Sequence, residues 1–240
     1  MGNNVDTMAA HVETAKKTRV LNCSGRKLKE VPVVVLSLAT TVRTIDLSRN
    51  RLSKIPPALG RFTELKQLNV ERNEIDQLAN EMCGMKKLES LQLGFNRIRE
   101  IPKSFSQLKN LKSVYLQSND FRSFPMCLCE LKQLDVVDLS ENKIRELPQD
   151  IEKLQCIELN MNANQLSSLP VSLSSCPRLK VLRVEENLLE LSSITSDFLK
   201  SSQICVLAVD GNLFRTKELN DKDGYDEYME RFTANKKKFF

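Results

Sequence analysis

The apolar positions of this chain recur in one frame, first complete in Val42-x-x-Ile45-x-Leu47-x-x-Asn50-x-Leu52-x-x-Ile55-Pro56. The frame restarts at Leu65, Leu88, Leu111, Leu134, Cys156, Leu179 and Ile204, in steps of 23, 23, 23, 23, 22, 23 and 25 residues. A degenerate turn starting near Thr18 precedes them. Self-similarity at this period predicts a stack of supersecondary units, each too small to fold alone and each burying its apolar side against its neighbours. Inside a unit, alternations such as Leu91-Gln92-Leu93 and Val137-Asp138-Leu139 have the period of a short strand with one buried face. Such strands, stacked in register, give a parallel sheet.

Two further positions have a physical role in the frame. Asn50, Asn73, Asn96, Asn119, Asn142, Asn164, Asn187 and Asn212 each follow a strand, where the chain turns and only a side chain with both donor and acceptor can satisfy the exposed backbone. An asparagine ladder is expected there. The pairs Ile55-Pro56, Ile101-Pro102, Phe124-Pro125, Leu147-Pro148 and Leu169-Pro170 then place a proline that ends the strand and opens the return segment. Ala79 stands where a proline is usual, and the long step from Leu179 to Ile204 breaks the spacing. Both are read as a local bulge or a binding feature.

The frame resembles the leucine-rich repeat, L-x-x-L-x-L-x-x-N-x-L, matched eight times. The resemblance implies an α/β leucine-rich-repeat solenoid, a horseshoe with a concave parallel β-sheet and short helical or 3-10 segments on the convex side. Three regions are expected: an N-terminal tail and capping helix over 1–17, repeats over 18–215, and a capping helix with a basic tail over 216–240. The first helix is read through Met8, Ala9, His11 and Val12 to Ala15, opened by Asp6 or Thr7. The last is read from Tyr225, Tyr228, Met229 and Phe232, an i, i+3, i+4, i+7 stripe covering the final repeat.

On the concave face the frame displays Asp46, Asn69, Gln92, Tyr115, Asp138, Asn160 and Arg183 in one column, and Ser48, Glu71, Gly94, Gln117, Ser140, Asn162 and Glu185 in the next. A third column holds Arg49, Arg72, Phe95, Glu141 and Glu186. The first and third columns are the expected partner-binding residues. The N-terminal half is the more basic, the centre aromatic and the C-terminal half acidic, which points to a protein partner of matching polarity.

Composition narrows the choice of function. The chain has 36 Lys and Arg against 31 Asp and Glu, a net charge of +5, with the signs interleaved, so nucleic acid is not the expected partner. One histidine, His11, lies far along the chain from any candidate nucleophile, and the glycines form no phosphate loop. No catalytic residue, metal site, cofactor or small-molecule substrate is expected. The seven cysteines lack a C-x-x-C pair and suit a reducing compartment. Cys23, Cys156 and Cys176 fall at inward positions as core, and Cys83, Cys127 and Cys129 on the convex side.

The segments Ala10–Ala15, Cys176–Glu190 and Tyr228–Thr233 resemble the small intracellular leucine-rich-repeat family, and the likeness spans essentially the whole chain. That resemblance implies a scaffold lipid-anchored through an N-terminal glycine. Gly2 follows Met1 as N-myristoylation requires, although Asp6 stands where the pattern wants Ser or Thr. A single acyl chain holds a membrane marginally, and Lys16, Lys17 and Arg19, or the tail Lys236-Lys237-Lys238-Phe239-Phe240, are the candidate second attraction to anionic lipid. The expected function is a non-enzymatic adaptor at a cytosolic membrane surface. The alternative is a soluble regulatory subunit of a signalling enzyme, such as a phosphatase, a Ras-type GTPase pathway or a ubiquitin ligase, without the lipid.

Overall fold

The computed structural model describes residues 3–239 and the side chains of residues 8–235. The chain divides into two compact units, Met1–Asn119 and Asp120–Phe240.

The first unit opens with α1 (Asn3–Thr18), followed by five short parallel strands: β1 (Val20–Asn22), β2 (Thr44–Asp46), β3 (Gln67–Asn69), β4 (Ser90–Gln92) and β5 (Ser113–Tyr115). Each pairs with the next in register, Leu21 with Ile45, Leu68 with Leu91, Leu91 with Val114. The return segments are 3-10 turns, Val33–Leu38, Pro57–Arg61, Asn80–Gly84 and Lys103–Gln107. Such a turn repeats every three residues, so apolar side chains three apart share one face. Leu59 and Phe62, Met82 and Met85, and Phe105 and Leu108 are accordingly buried against the strand residues. At the position that usually holds a proline, Ala79 takes the same extended backbone (φ −78°, ψ 141°) and starts its turn equally well. The turns press closely here: a Cβ on Gly60 would lie 1.9 Å from the Glu81 carbonyl oxygen, and one on Gly84 2.3 Å from that of Gly60.

The degenerate turn near Thr18 departs from the frame at Thr18 and at the ladder position, Arg26, and it carries a strand, β1, that pairs in register with β2. One expectation is corrected at this end. The cap helix begins at Asn3, before Asp6 and Thr7, because Asn3–Asp6 contains no glycine or proline to break it. Its residues Met8, Val12 and Ala15 are buried, with Met8 sulfur 3.7 Å from Cys23 Sγ.

The second unit carries β6 (Val136–Asp138), β7 (Glu158–Asn160), β8 (Val181–Arg183) and β9 (Val206–Ala208), again parallel and in chain order, with 3-10 turns at Met126–Glu130, Ile151–Lys153, Val171–Ser175 and Leu191–Ser193. The long step before Ile204 holds a helix, α2 (Ser196–Ser201), whose N-cap Thr195 accepts the Phe198 N–H. A 3-10 turn, Thr216–Asp221, leads to α3 (Tyr225–Phe239). A terminal strand leaves ladder groups without partners; α3 satisfies one of them and also ties down the α2 end. The Tyr228 hydroxyl accepts the Leu207 N–H at 3.1 Å, and the Arg231 guanidinium donates to the carbonyls of Ile204, Lys200 and Leu199.

The ladder asparagines repeat one geometry. Asn73 Nδ2 donates to Leu47 O at 3.0 Å in the preceding turn and to Val70 O at 2.9 Å in its own, while its Oδ1 accepts Leu52 N–H at 3.0 Å. Asn50, Asn96, Asn119, Asn164, Asn187 and Asn212 link neighbouring turns in the same way, and Asn142 accepts the Phe121 N–H. Each stitches backbone groups that the turn takes out of the sheet.

Candidate partner-binding face

Strand residues alternate between core and surface, so β1 to β7 present their first and third residues outward, while in β8 and β9 the first is buried. The third residues are the predicted column Asp46, Asn69, Gln92 and Tyr115 in the first unit, all half-buried. The first residues, Thr44, Gln67, Ser90 and Ser113, belong to the same face and fall outside the predicted columns, although the period-two alternation signals them. Asp46 and Asn69 also act locally, since their Oδ1 atoms accept the N–H of Ser48 at 2.8 Å and of Glu71 at 3.0 Å, closing the turn after the strand. Gln117 lies across Gly94, where a Cβ would be 2.5 Å from its amide carbon, and donates to Glu71 at 3.4 Å. Glu71, Gln92, Tyr115 and Gln117 line a cleft of about 220 Å³. Beside it the Arg72 guanidinium sits 4.0 Å from the Phe95 ring centroid in a cation–π contact.

The third column has a backbone signature that the sequence pattern does not carry. Arg49, Arg72, Phe95 and Ser118 in the first unit, and Glu141, Ala163 and Glu186 in the second, all adopt left-handed backbone with φ between 52° and 56°. Gly211 takes that place in the last turn, with φ 77°. Each precedes a ladder asparagine, and most donate their N–H to the following turn: Arg49 to Glu71 O at 2.8 Å, Arg72 to Gly94 O at 3.0 Å, Glu186 to Asp210 O at 2.8 Å. This conformation costs a residue with a Cβ about 1–2 kcal/mol. The turn demands it, and the hydrogen bonds fix it.

In the second unit Asp138 and Asn160 close their own turns on the N–H of Ser140 and Asn162, as Asp46 and Asn69 do. Arg183 is paired with Glu158, Nε to Oε1 3.1 Å. Val181 and Val206, the first residues of β8 and β9, are buried with Cys205 in an apolar cluster, so this stretch of the strand face is covered. A cleft of about 390 Å³ opens beside it, lined by Glu141, Glu185, Glu186, Asp210 and the Asn160 and Asn162 amides among others. Glu185 accepts from Asn162 Nδ2 at 2.6 Å, and Asp210 accepts from the Thr216 hydroxyl.

The remaining candidate chemistry is placed as follows. Cys23, Cys127, Cys129, Cys156, Cys176 and Cys205 are buried, and Cys83 is half-buried. Burial pushes the Cys127 thiol up to about 11 and those of Cys129 and Cys176 up to about 12, which leaves them protonated and weakly nucleophilic near neutrality. His11 Nε2 lies 2.6 Å from Arg26 Nη2, and since the guanidinium only donates, this nitrogen accepts. Among the described residues no cluster of three His, Cys, Asp or Glu could hold a metal ion, and no helix is long and apolar enough to cross a membrane. Gly2 lies outside the described residues, as do the side chains of the tail Lys236–Phe240.

Comparison with known proteins gives the same architecture. The family model "Leucine rich repeat" matches residues 40–98 and 63–121. The chain is 40% identical over 79 residues to the DISP complex protein LRCH3 of Mus musculus, and 41% identical over 78 residues to that of Homo sapiens; either match covers 32% of this chain and 10% of the relative. It thus spans about a tenth of these relatives' length. Among solved structures, a Leptospira interrogans LRR protein superposes with a TM-score of 0.74 at 23% identity, covering 90% of this chain and 61% of that one. The plant peptide hormone receptor RGFR1 in complex with RGF2 gives 0.66 at 25% identity, over 80% of this chain and 32% of the receptor.

Proposed function

Taking the chain as a protein built of leucine-rich repeats, we propose that it is a non-catalytic adaptor that binds a protein partner on its strand face. One observation carries this reading. The left-handed position before the ladder asparagine is satisfied most cheaply by glycine, and the last turn has Gly211 there, yet Arg49, Arg72, Phe95, Glu141 and Glu186 occupy it in five turns, with the small Ser118 and Ala163 in two others. Large charged and aromatic side chains held against a backbone preference, on rigid turns, are suited to recognition, because little ordering remains to be lost on binding. A protein of similar fold supports the same reading: the RGFR1 receptor is described in complex with the peptide RGF2.

The finer part of the proposal is a tether. The cap and C-terminal segments resemble leucine-rich repeat-containing protein 57, a likeness that implies myristate on Gly2. The basic last turn of α1, Lys16 and Lys17, supplies the second attraction that one acyl chain needs at an anionic surface.

Affinity capture with quantitative mass spectrometry tests both parts, comparing wild type, Gly2→Ala, and Arg49→Glu/Arg72→Glu/Tyr115→Ala. The proposal expects partners lost only from the face variant, and a membrane fraction lost only with Gly2→Ala. Identical capture by all three baits overturns recognition on the face; an unchanged membrane fraction overturns the tether.

A further inference from the structure

The strand face of the second unit differs in chemistry from an ordinary solvated face. Its cleft of about 390 Å³ is lined by the carboxylates Glu141, Glu185, Glu186 and Asp210, and among its described lining residues there is no lysine or arginine. The carboxylates are spread over three turns, so they suit separate cations better than one ion, and no three of them form a metal-holding cluster. Glu185 and Asp210 bond to an amide and a hydroxyl, which leaves their charge unneutralised. An apolar feature lies close by along the chain. The position after the ladder asparagine is Lys143 and Gln165 in the sixth and seventh turns, but Leu188 and Leu213 in the next two, and these leucines are 49% and 64% exposed. The turns are in register there, since Leu189 N–H donates to Asn212 Oδ1 at 3.0 Å.

Resting on the reading of the strand face as a recognition surface, we infer that this cleft takes an extended basic segment of a protein partner, with an apolar side chain seated on Leu188 and Leu213. Strand spacing fixes the pattern of that segment. Glu141 and Glu186 stand two turns apart, about 9–10 Å at 4.7–4.9 Å per strand, which an extended chain of polyproline II type, rising about 3.1 Å per residue and bringing every third side chain to one face, spans in three residues. The segment therefore carries Lys or Arg three apart, crossing the strands. Left-handed backbone at Glu186, whose N–H is held by the Asp210 carbonyl, keeps its carboxylate aimed outward without the partner. Complementary charge sets the choice of partner and the on-rate, and the leucines add contact that salt does not screen.

The test is selection of 12-residue peptides from a random phage-displayed library on the full chain, followed by fluorescence anisotropy with the enriched peptide labelled with fluorescein. Enriched peptides are expected to share two basic residues three apart and an apolar neighbour. Glu186→Lys/Asp210→Lys weakens binding about tenfold or more, with loss of its salt dependence, and Leu188→Ser/Leu213→Ser weakens it at every salt concentration. Circular dichroism melting of both variants, unchanged from wild type, assigns the losses to the surface. Peptides without the basic spacing, or binding that survives Glu186→Lys/Asp210→Lys, overturn the inference, as does no enrichment. Peptides lost only with Arg49→Glu/Arg72→Glu overturn it too while leaving the strand face as a recognition surface. Peptides indifferent to all these variants remove both readings.

Discussion

Replacing Asn164 by alanine isolates what one rung of the ladder contributes. Its Nδ2 donates to Leu139 O at 2.9 Å, Met161 O at 3.0 Å and Asn162 O at 3.2 Å, and its Oδ1 accepts Ile144 N–H at 3.0 Å. The carbonyls keep other donors after truncation: Leu139 O has Asn142 Nδ2, Met161 O has Asn187 Nδ2, and Asn162 O has the Glu141 N–H. The Ile144 N–H, under a fully buried side chain, loses its acceptor. An orphaned buried donor costs about 1–3 kcal/mol, and the lost donations add about 1 kcal/mol, for a destabilisation of about 2–4 kcal/mol. Asn164→Asp retains the acceptor for Ile144 but turns a carboxylate toward three carbonyl oxygens, so at neutral pH it is at least as damaging, and it recovers as the acid protonates. Urea unfolding followed by circular dichroism gives the magnitude. Amide hydrogen exchange at Ile144 gives the location, which matters because repeat stacks can open locally. A loss below about 0.5 kcal/mol for Asn164→Ala, or an Asp variant as stable as wild type at pH 7, refutes the reasoning.

Four other outcomes follow from the packing. Gly60→Ala should cost about 1–3 kcal/mol in urea unfolding, because its Cβ would meet the Glu81 backbone at 1.9 Å, with nothing flexible to move aside. Tyr228→Phe removes the acceptor of the Leu207 N–H on the terminal strand and should cost about 1 kcal/mol, with faster exchange at Leu207 and none of the effect in β2–β5. The buried thiols set an alkaline limit: Cys127, Cys129 and Cys176 hold folded-state values of about 11 to 12, above the unfolded value of about 8.5. Their contribution is complete below pH about 8.5 and is lost as pH rises toward the folded values, so Tm should fall across that window and fall less in Cys129→Ala. Native-state maleimide labelling at pH 7.5 should accordingly modify Cys83 far faster than the other six.

The fold is legible in the sequence because its determinants are local and repeated. An inward Leu68 or Leu91 and a turn asparagine are each set by the pleat and by the backbone groups they must satisfy, and stacking copies the solution. Legibility fails where the repetition stops. Thr18 and Arg26 leave the first turn legible only as a degenerate copy, Asn3–Asp6 offers no helix boundary, and the long step before Ile204 gives little sign of α2 beyond its Thr195 cap. The face is half legible. Its outward columns follow from alternation, but the hydrogen bonds that commit Asp46, Asn69, Asp138 and Asn160 to their own turns, and the pairing of Arg183 with Glu158, depend on neighbouring turns. The left-handed backbone of Arg49, Phe95 and Glu186 is equally hidden, since the residues there are types that seldom adopt it.

Recognition turns on that column, and glycine is the substitution that removes its side chains while suiting its backbone. The measurement is calorimetric titration of a captured partner into wild type and Arg49→Gly/Arg72→Gly/Phe95→Gly, with the melting temperature of each protein taken from the same preparation. The expected result is a glycine variant that melts at or above the wild-type temperature and binds its partner at least tenfold more weakly, about 1.4 kcal/mol. A variant that binds as wild type does, or that loses binding only because it unfolds, contradicts recognition by these side chains.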